Sequence, residues 1–251
     1  MSRSSKKRAA TAFEPVTYRK LTVVVPVFNE RNTVVEILRR IRAVELPSGL
    51  DLEVIVVDDG SGDGTRDILR QLGDSTVRVI LQPQNMGKGA AVREGFANAT
   101  GDLVLVQDAD LEYDPDDWPK LLAPVLKGKA LVVYGSRFTG ERRNMLPLHW
   151  LGNRFLSLVT NVLYRSTLSD METCYKLVDR RVVQSFPLRS NRFEIEPELT
   201  AKILKSGVRI YEVPISYDGR TYAEGKKIGV KDGFRAIYAI TKYGLKSRMR
   251  K

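Results

Sequence analysis

Residues 21–65 read LTVVVPVFNERNTVVEILRRIRAVELPSGLDLEVIVVDDGSGDGT, and the fold is decided by how the hydrophobic period changes along them. Leu21–Val27 is a valine-rich run without polar alternation, as a strand buried on both faces requires. Arg31–Val44 places its apolar residues at helical spacing, and Leu52–Val57 returns to an unbroken β-branched run. A Gly/Asp/Ser turn then opens a helical stretch near Thr65–Leu72. Strand, helix, strand, helix in that order predicts parallel βαβ units. The pattern continues with a strand at Val77–Leu81, a loop holding Asn85-Met86-Gly87-Lys88-Gly89, and a helix around Ala90–Asn98. A fourth strand, Leu103–Gln107, ends in an acidic loop and is followed by a helix over Pro115–Leu126, with Asp116 and Asp117 suiting its positive end. A fifth strand, Ala130–Tyr134, runs into Gly135-Ser136-Arg137. The predicted fold is therefore α/β, a doubly wound and mostly parallel central sheet flanked by helices, whose ligands lie beyond the carboxyl ends of the strands.

After Arg143 the pattern changes. Leu146–Tyr164 carries Trp150, Leu151, Phe155, Leu156, Leu158, Val159, Val162 and Leu163 at helical spacing and reads as a buried or surface-lying helix, a core helix being the plainer reading. A helix over Pro197–Ser206 precedes a strand at Val208–Pro214 that is expected to join the same sheet, and an amphipathic helix runs from about Asp232 to Lys251. The expected organisation is a basic disordered arm over 1–19, one globular domain over 20–231 and a basic amphipathic helix over 232–251.

Composition narrows the function classes. The chain has 251 residues, 43% hydrophobic and 28% charged, which suits one ordinary globular domain. Cys174 is the only cysteine and His149 the only histidine, which excludes an internal disulfide, a cysteine-based zinc site, a histidine metal cluster and a Ser-His triad. Carboxylate chemistry remains. The net charge of +11 sits at the ends: residues 1–20 hold six basic and one acidic side chain, residues 220–251 hold ten and two, and the body between them is at −2. Basic ends suit an anionic membrane surface or a nucleic acid. The near-neutral body and the lack of a basic stripe interleaved with aromatics argue against nucleic acid. No apolar stretch approaches the roughly 18–20 residues of a membrane span, and residues 1–12 lack the apolar segment of a signal peptide.

The sharpest chemical signal is Asp108-Ala109-Asp110-Leu111-Glu112 at the end of the fourth strand. Two carboxylates at i and i+2 beyond a strand point the same way and can hold a hard divalent cation that keeps sites free for phosphate oxygens. A lone D-x-D is usually a solvated loop. Here Pro26-Val27-Phe28-Asn29-Glu30 and Val56-Val57-Asp58-Asp59-Gly60-Ser61 end strands at the same sheet edge. Lys88 between two glycines invites comparison with a P-loop, but the full spacing is absent and packing of the helix start is at least as good a reading. Glu194, Glu196 and Glu198 read mainly as helix N-terminal charges, and Cys174 as a small buried residue.

These motifs, P-V-F-N-E, V-V-D-D-G-S, N-M-G-K-G, D-A-D-L-E and G-S-R-F (Gly135 to Phe138), resemble the inverting family 2 glycosyltransferases, which have the GT-A fold. The later segments Asp170-Met171-Glu172-Thr173-Cys174-Tyr175-Lys176 and Arg220-Thr221-Tyr222-Ala223-Glu224-Gly225-Lys226-Lys227-Ile228 resemble those of the polyprenyl-phosphate sugar synthases of the dolichyl-phosphate mannose synthase type. The resemblance implies that Pro26, Phe28, Glu30 and Asp59, with Asp58 from the same turn, hold the nucleoside of a sugar nucleotide. It implies that Asp108 and Asp110 hold Mg²⁺ or Mn²⁺ against the diphosphate, Glu112 completing the site where relatives often have Gln. Arg137, Arg220, Lys226 and Lys227 would supply positive charge to the diphosphate and to an acceptor phosphate, as a phosphate lid would. Asp170 and Glu172 are the candidates for orienting the acceptor or acting as a general base.

The implied reaction is a metal-dependent, inverting transfer of a hexose from GDP-mannose or UDP-glucose to polyprenyl (dolichyl or undecaprenyl) phosphate, on the cytoplasmic face of a membrane. The basic ends would attach the protein peripherally to anionic lipid, alone or through a separate membrane-anchoring protein. The alternative within the enzyme class is transfer to a soluble or polysaccharide acceptor; the distant alternative, a nucleic-acid-binding protein, is disfavoured by the charge distribution.

Overall fold

Strands β1 (Lys20–Val27), β2 (Asp51–Asp58), β3 (Val77–Leu81), β4 (Leu103–Val106), β5 (Val132–Ser136), β6 (Lys176–Asp179) and β7 (Ile210–Pro214) form a single sheet in the order β3-β2-β1-β4-β6-β5-β7. The computed structural model describes residues 17–73, 76–220 and 229–245. All neighbouring strands are parallel except β6, which runs antiparallel to both β4 and β5. The sheet is thus mostly parallel, as the unbroken apolar runs predict: Leu21, Val23, Val24 and Val25 of β1 and all of β4 are fully or almost fully buried.

Helices α1 (Val34–Ala43), α2 (Thr65–Arg70), α3 (Lys88–Asn98) and α4 (Trp118–Leu126) follow the first four strands, with a 3₁₀ turn at Pro115–Asp117 leading into α4. The approach of α3 to β1 is close enough that a Cβ on Gly95 would lie 2.2 Å from Val24 Cγ1, so glycine is required there. Helix α5 (Pro147–Tyr164) follows β5, the short α6 (Arg180–Gln184) follows β6, α7 (Ile195–Lys205) precedes β7, and α8 (Val230–Leu245) packs on α5 and α7.

Three sequence expectations change. Strand β6 and helix α6 are additional elements: β6 is four residues long, begins with a lysine and has no apolar run to announce it. Helix α5 is not a core helix. It lies on the surface, burying Leu156, Ser157 and Thr160, while Leu148, Leu151, Phe155, Leu158 and Val162 are each at least half exposed. Helix α8 starts at Val230 rather than Asp232; its expected extension beyond Leu245 and all of the arm but residues 17–19 lie outside the described residues. Among the described residues no helix is long and apolar enough to cross a membrane.

The topology gathers the motifs. The carboxyl ends of β1, β2, β4, β5 and β7 share one edge of the sheet, and the antiparallel β6 brings its amino end, with residues 170–175 before it, to the same edge.

Candidate active site

Along that edge runs a cleft of about 660 Å³, within the size range of small-ligand sites. Pro26, Phe28, Glu30, Asp59, Asp108, Asp110, Glu112, Arg137, Glu172 and Arg220 all line it, so ten of the sequence-predicted site residues converge. Asp58 and Asp170 are held outside the lining. Asp58 is fully buried in an ion pair with Arg66 at 2.8 Å, and Asp170 is fully buried beneath Arg137. Lys226 and Lys227 lie outside the described residues.

The β1 and β2 ends are fixed by backbone hydrogen bonds. Asp59 accepts from the amides of Met86 (2.6 Å) and Gly87 (2.8 Å), and burial holds its carboxyl above the ordinary pKa in spite of them. This links the D-D-G-S turn to N-M-G-K-G. Gly87 itself has φ +99°, and a Cβ on it would lie 2.3 Å from Asn191 O, so the loop before α7 closes directly on this glycine. Asn29 joins the first two motifs: its Oδ1 accepts from Gly62 N and its amide donates to Ser61 Oγ, both at 2.9 Å.

The acidic segment is a tight turn rather than a continued strand, because β4 ends at Val106 and Leu111 adopts φ 63°. Strand alternation is therefore not what aligns the aspartates. Gln107 anchors the turn: its Oε1 accepts from Trp118 Nε1 (3.1 Å) and Tyr175 Oη (2.6 Å), and its Nε2 donates to the Asp108 carbonyl. Asp108 meets Lys88 Nζ at 2.7 Å, and Lys88 also lies 3.6 Å from Glu196. Asp110 meets Arg220 Nη2 at 3.0 Å. Burial first, then the neighbouring Asp108 and Glu112, push the Asp110 carboxyl up to about 7, with Arg220 pulling the other way. Both Glu112 oxygens are engaged: Tyr217 Oη donates to one at 2.6 Å and Arg220 N to the other at 2.9 Å.

The other wall is built from ion pairs. Arg137 grips Asp170 with a two-pronged bond, Nε to Oδ2 at 2.7 Å and Nη2 to Oδ1 at 2.8 Å, and its guanidinium lies 5.2 Å over the Tyr217 ring. Asp170 thus positions Arg137 and does not open to the cleft. Glu172 lines the cleft, its Oε1 enclosed without a hydrogen-bond partner, and burial, partly offset by Lys176, pushes its carboxyl up to about 7. Behind it Lys176 pairs with Glu196 at 2.5 Å and lies 5.0 Å over the Tyr134 ring.

Sequence reasoning missed Lys88, Glu196 and Tyr217 as parts of this site. Lys88 carried a signal, a lysine flanked by glycines at the start of a helix, but its partner is Asp108 in the turn after β4. Glu196 carried none, since its cation Lys176 lies on the strand that went unread.

The donor set fits a hard divalent cation. It consists of the carboxylate oxygens of Asp108 and Asp110 on one turn, near enough that the charge of Asp108 acts on Asp110, with Lys88 and Arg220 as their counter-charges. That suits a magnesium- or manganese-type ion carried by one or two carboxylates together with phosphate oxygens.

Residues 22–186 match the family Glycosyl transferase family 2. Crystal structures of glucosyl-3-phosphoglycerate synthase from Mycobacterium tuberculosis have the same fold. Its complex with phosphoglyceric acid superposes with a TM-score of 0.69 at 24% identity, covering 90% of this chain and 80% of that one. Its complex with Mn²⁺, uridine diphosphate and phosphoglyceric acid gives a TM-score of 0.70 at 22% identity over 90% and 79%. The complex with Mn²⁺, UDP-glucose and phosphoglyceric acid gives 0.70 at 21% over 90% and 80%. The mostly parallel seven-stranded sheet is the GT-A arrangement.

Proposed function

The chain belongs to glycosyl transferase family 2, and from that premise we propose that it moves a hexosyl group from a nucleoside diphosphate sugar to a phosphate-bearing acceptor, with Mg²⁺ or Mn²⁺ at Asp108 and Asp110. The observation that carries this reading is the convergence, on one sheet edge, of Glu30, Asp59, Asp108 and Asp110 with the cations Lys88, Arg137 and Arg220 around one cleft. Carboxylates alone would repel a diphosphate; interleaved with fixed cations they can hold it.

Pro26, Phe28, Glu30 and Asp59 form the nucleoside end. The metal, when bound, supplies Lewis-acid stabilisation of the leaving diphosphate. Lys88 and Arg220 stand where charge develops on that leaving group, and preorganised charge in a buried site acts without reorganising at the moment of reaction. Arg137, locked by Asp170, offers a guanidinium to the acceptor phosphate. A single displacement from the face opposite the nucleotide inverts the anomeric centre.

For the acceptor, the likeness to structures that hold phosphoglyceric acid supports a soluble, phosphorylated hydroxy compound. With such an acceptor a hydroxyl must lose its proton, and Glu172 is the carboxyl placed to take it. A second reading, transfer to polyprenyl phosphate by a protein peripheral on the cytoplasmic face of a membrane, draws on one observation: Leu148, Leu151, Phe155, Leu158 and Val162 form an exposed apolar stripe on α5, the helix whose first half lines the cleft.

The experiment is transfer of radiolabel from UDP- and GDP-sugars in Mn²⁺ or Mg²⁺, offering phosphoglyceric acid and polyprenyl phosphate in parallel and separating aqueous from organic-extractable product. EDTA-sensitive label in the aqueous product is the expected result. Label in the organic phase alone establishes the second reading, and no label in either, with no donor bound, overturns both.

A further inference from the structure

The two aspartates of D-A-D-L-E are already neutralised by the chain itself. Lys88 sits on Asp108, touching Oδ1 at 2.7 Å and Oδ2 at 2.8 Å. Arg220 lies among three carboxylates, with Nη2 3.0 Å from Asp110, Nη1 3.4 Å from Glu30 and Nε 3.6 Å from Glu112. Of these cations, Arg220 is held differently from Arg137. The Arg137–Asp170 fork has both bonds under 3 Å, whereas Arg220 makes one bond as short as 3.0 Å and leaves a buried Nε without a hydrogen-bond acceptor. Its guanidinium is surrounded by negative charge without being locked to it.

Its backbone, by contrast, is anchored. Arg220 N donates to Glu112, Asp218 N donates to the Glu112 carbonyl, and Ser216 donates from both N and Oγ to Asp117 at 2.6 Å. The side chain can leave Asp110 without moving the segment that carries it. A divalent cation on Asp110 brings two positive groups to the same oxygens, and the weaker-held one must turn away.

We propose that Arg220 is the resident counter-ion of the carboxylate cluster, exchanged for the divalent cation on donor binding and turned by that exchange onto the diphosphate. The inference rests on the reading of the cleft as a metal and diphosphate site. It makes Arg220 a competitor of the metal when the nucleotide is absent and a partner of it when the nucleotide is present, so the side chain couples the two binding events. Coupling of this kind is reciprocal: whatever factor the nucleotide adds to metal affinity, the metal adds to nucleotide affinity.

The test is titration of the full chain with Mn²⁺, followed by electron paramagnetic resonance of the free ion, without nucleotide and with saturating UDP or GDP. Wild type, Arg220→Gln and Arg220→Lys are compared, and circular dichroism melts confirm that each is folded. The expected result is that Arg220→Gln binds Mn²⁺ alone about fivefold or more tightly than wild type, while the gain that nucleotide gives to Mn²⁺ shrinks by a similar factor. Arg220→Lys, which keeps the charge but not the spread of donors, falls between and serves if the glutamine variant does not fold. Unchanged or weaker Mn²⁺ binding by the variants, with Mn²⁺ and nucleotide still bound together, overturns the exchange and leaves the site reading in place. Wild type that binds Mn²⁺ neither with nor without nucleotide overturns the site reading, and the exchange with it.

Discussion

The wall of the cleft built on β1, β2 and β4 fixes Asp59 and the acidic turn through backbone amides and neutral polar side chains, and its cleft-facing aspartates meet cations brought from other segments, whereas the opposite wall is held together by buried pairs of its own charges. Asp59 is fixed by two amides and the acidic turn by Gln107, Trp118 and Tyr175. Across the cleft, Arg137 rests on Asp170 and Lys176 on Glu196, both pairs buried. The first kind of wall is preorganised, and its exposed chemical groups can be changed without loss of scaffold. In the second the charges are the scaffold, because a buried ion that loses its partner is left uncompensated.

That contrast predicts opposite signatures. Asp110→Asn is expected to lower transfer about a thousandfold, the scale of removing a principal electrostatic group from an active site, with no fall in melting temperature. The sign follows from the carboxyl's position near 7, well above its value in an unfolded chain: the fold disfavours the charged form, so a neutral amide relieves the protein at pH 8. A variant that both melts early and loses activity would place Asp110 in the scaffold. Arg137→Met should instead cost about 3–5 kcal/mol by stranding Asp170. For a chain of this length that is a fall of roughly 6–20 °C in melting temperature. The double variant Arg137→Met, Asp170→Leu should regain much of it, and single and double variants that melt alike would show that this wall does not depend on paired charge.

Glu172 tests the border between the two walls, since it faces the cleft yet sits among the charged pairs. With its carboxyl pushed up to about 7 the folded protein binds this proton more tightly than the unfolded chain. Its contribution to stability is therefore undiminished below about pH 4.5 and is lost as pH rises through 7. Glu172→Gln should match wild type at pH 4.5 and gain a few degrees by pH 8, read from melts across that range. With a hydroxyl acceptor the same variant should lose about a hundredfold in rate together with the rise in wild-type activity through pH 7. With an ionised phosphate as nucleophile the loss should be slight.

The sequence-legible part of the molecule coincides with the amide-held wall. Strands buried on both faces write themselves as valine runs, and the turns that follow them carry Glu30, Asp59, Asp108 and Asp110 at fixed offsets, so both fold and acidic groups could be read locally. The charge-held wall could not. Lys176 opens a strand and is almost fully buried, which no local pattern signals, because its stability depends on Glu196 and the Tyr134 ring brought from elsewhere. Asp170 read as an acceptor or base residue for the same reason: only the fold shows that Arg137, 33 residues away, consumes both of its oxygens. Glu198 read as a helix-terminal charge and in fact accepts from the amides of Arg189 and Ser190, closing the loop that packs on Gly87 and Gly89.

The smallest expected effect concerns neither wall but the outer face of α5, where Leu148, Leu151, Phe155, Leu158 and Val162 repeat at intervals of three and four residues. Leu151 and Leu158 are 59% and 58% exposed, so serine at both positions removes little buried contact, and each change should alter stability by no more than about 0.5 kcal/mol. Transfer to a water-soluble acceptor should be unchanged. The same variant measured with anionic vesicles carrying polyprenyl phosphate sets the two acceptor readings apart. A leucine taken from water into lipid is worth about 1.5–3 kcal/mol, so two of them should weaken vesicle binding by two orders of magnitude or more if the stripe meets a membrane. Vesicle binding and transfer that ignore both substitutions would leave the stripe outside the reaction, and the acceptor would then be recognised by the cleft alone.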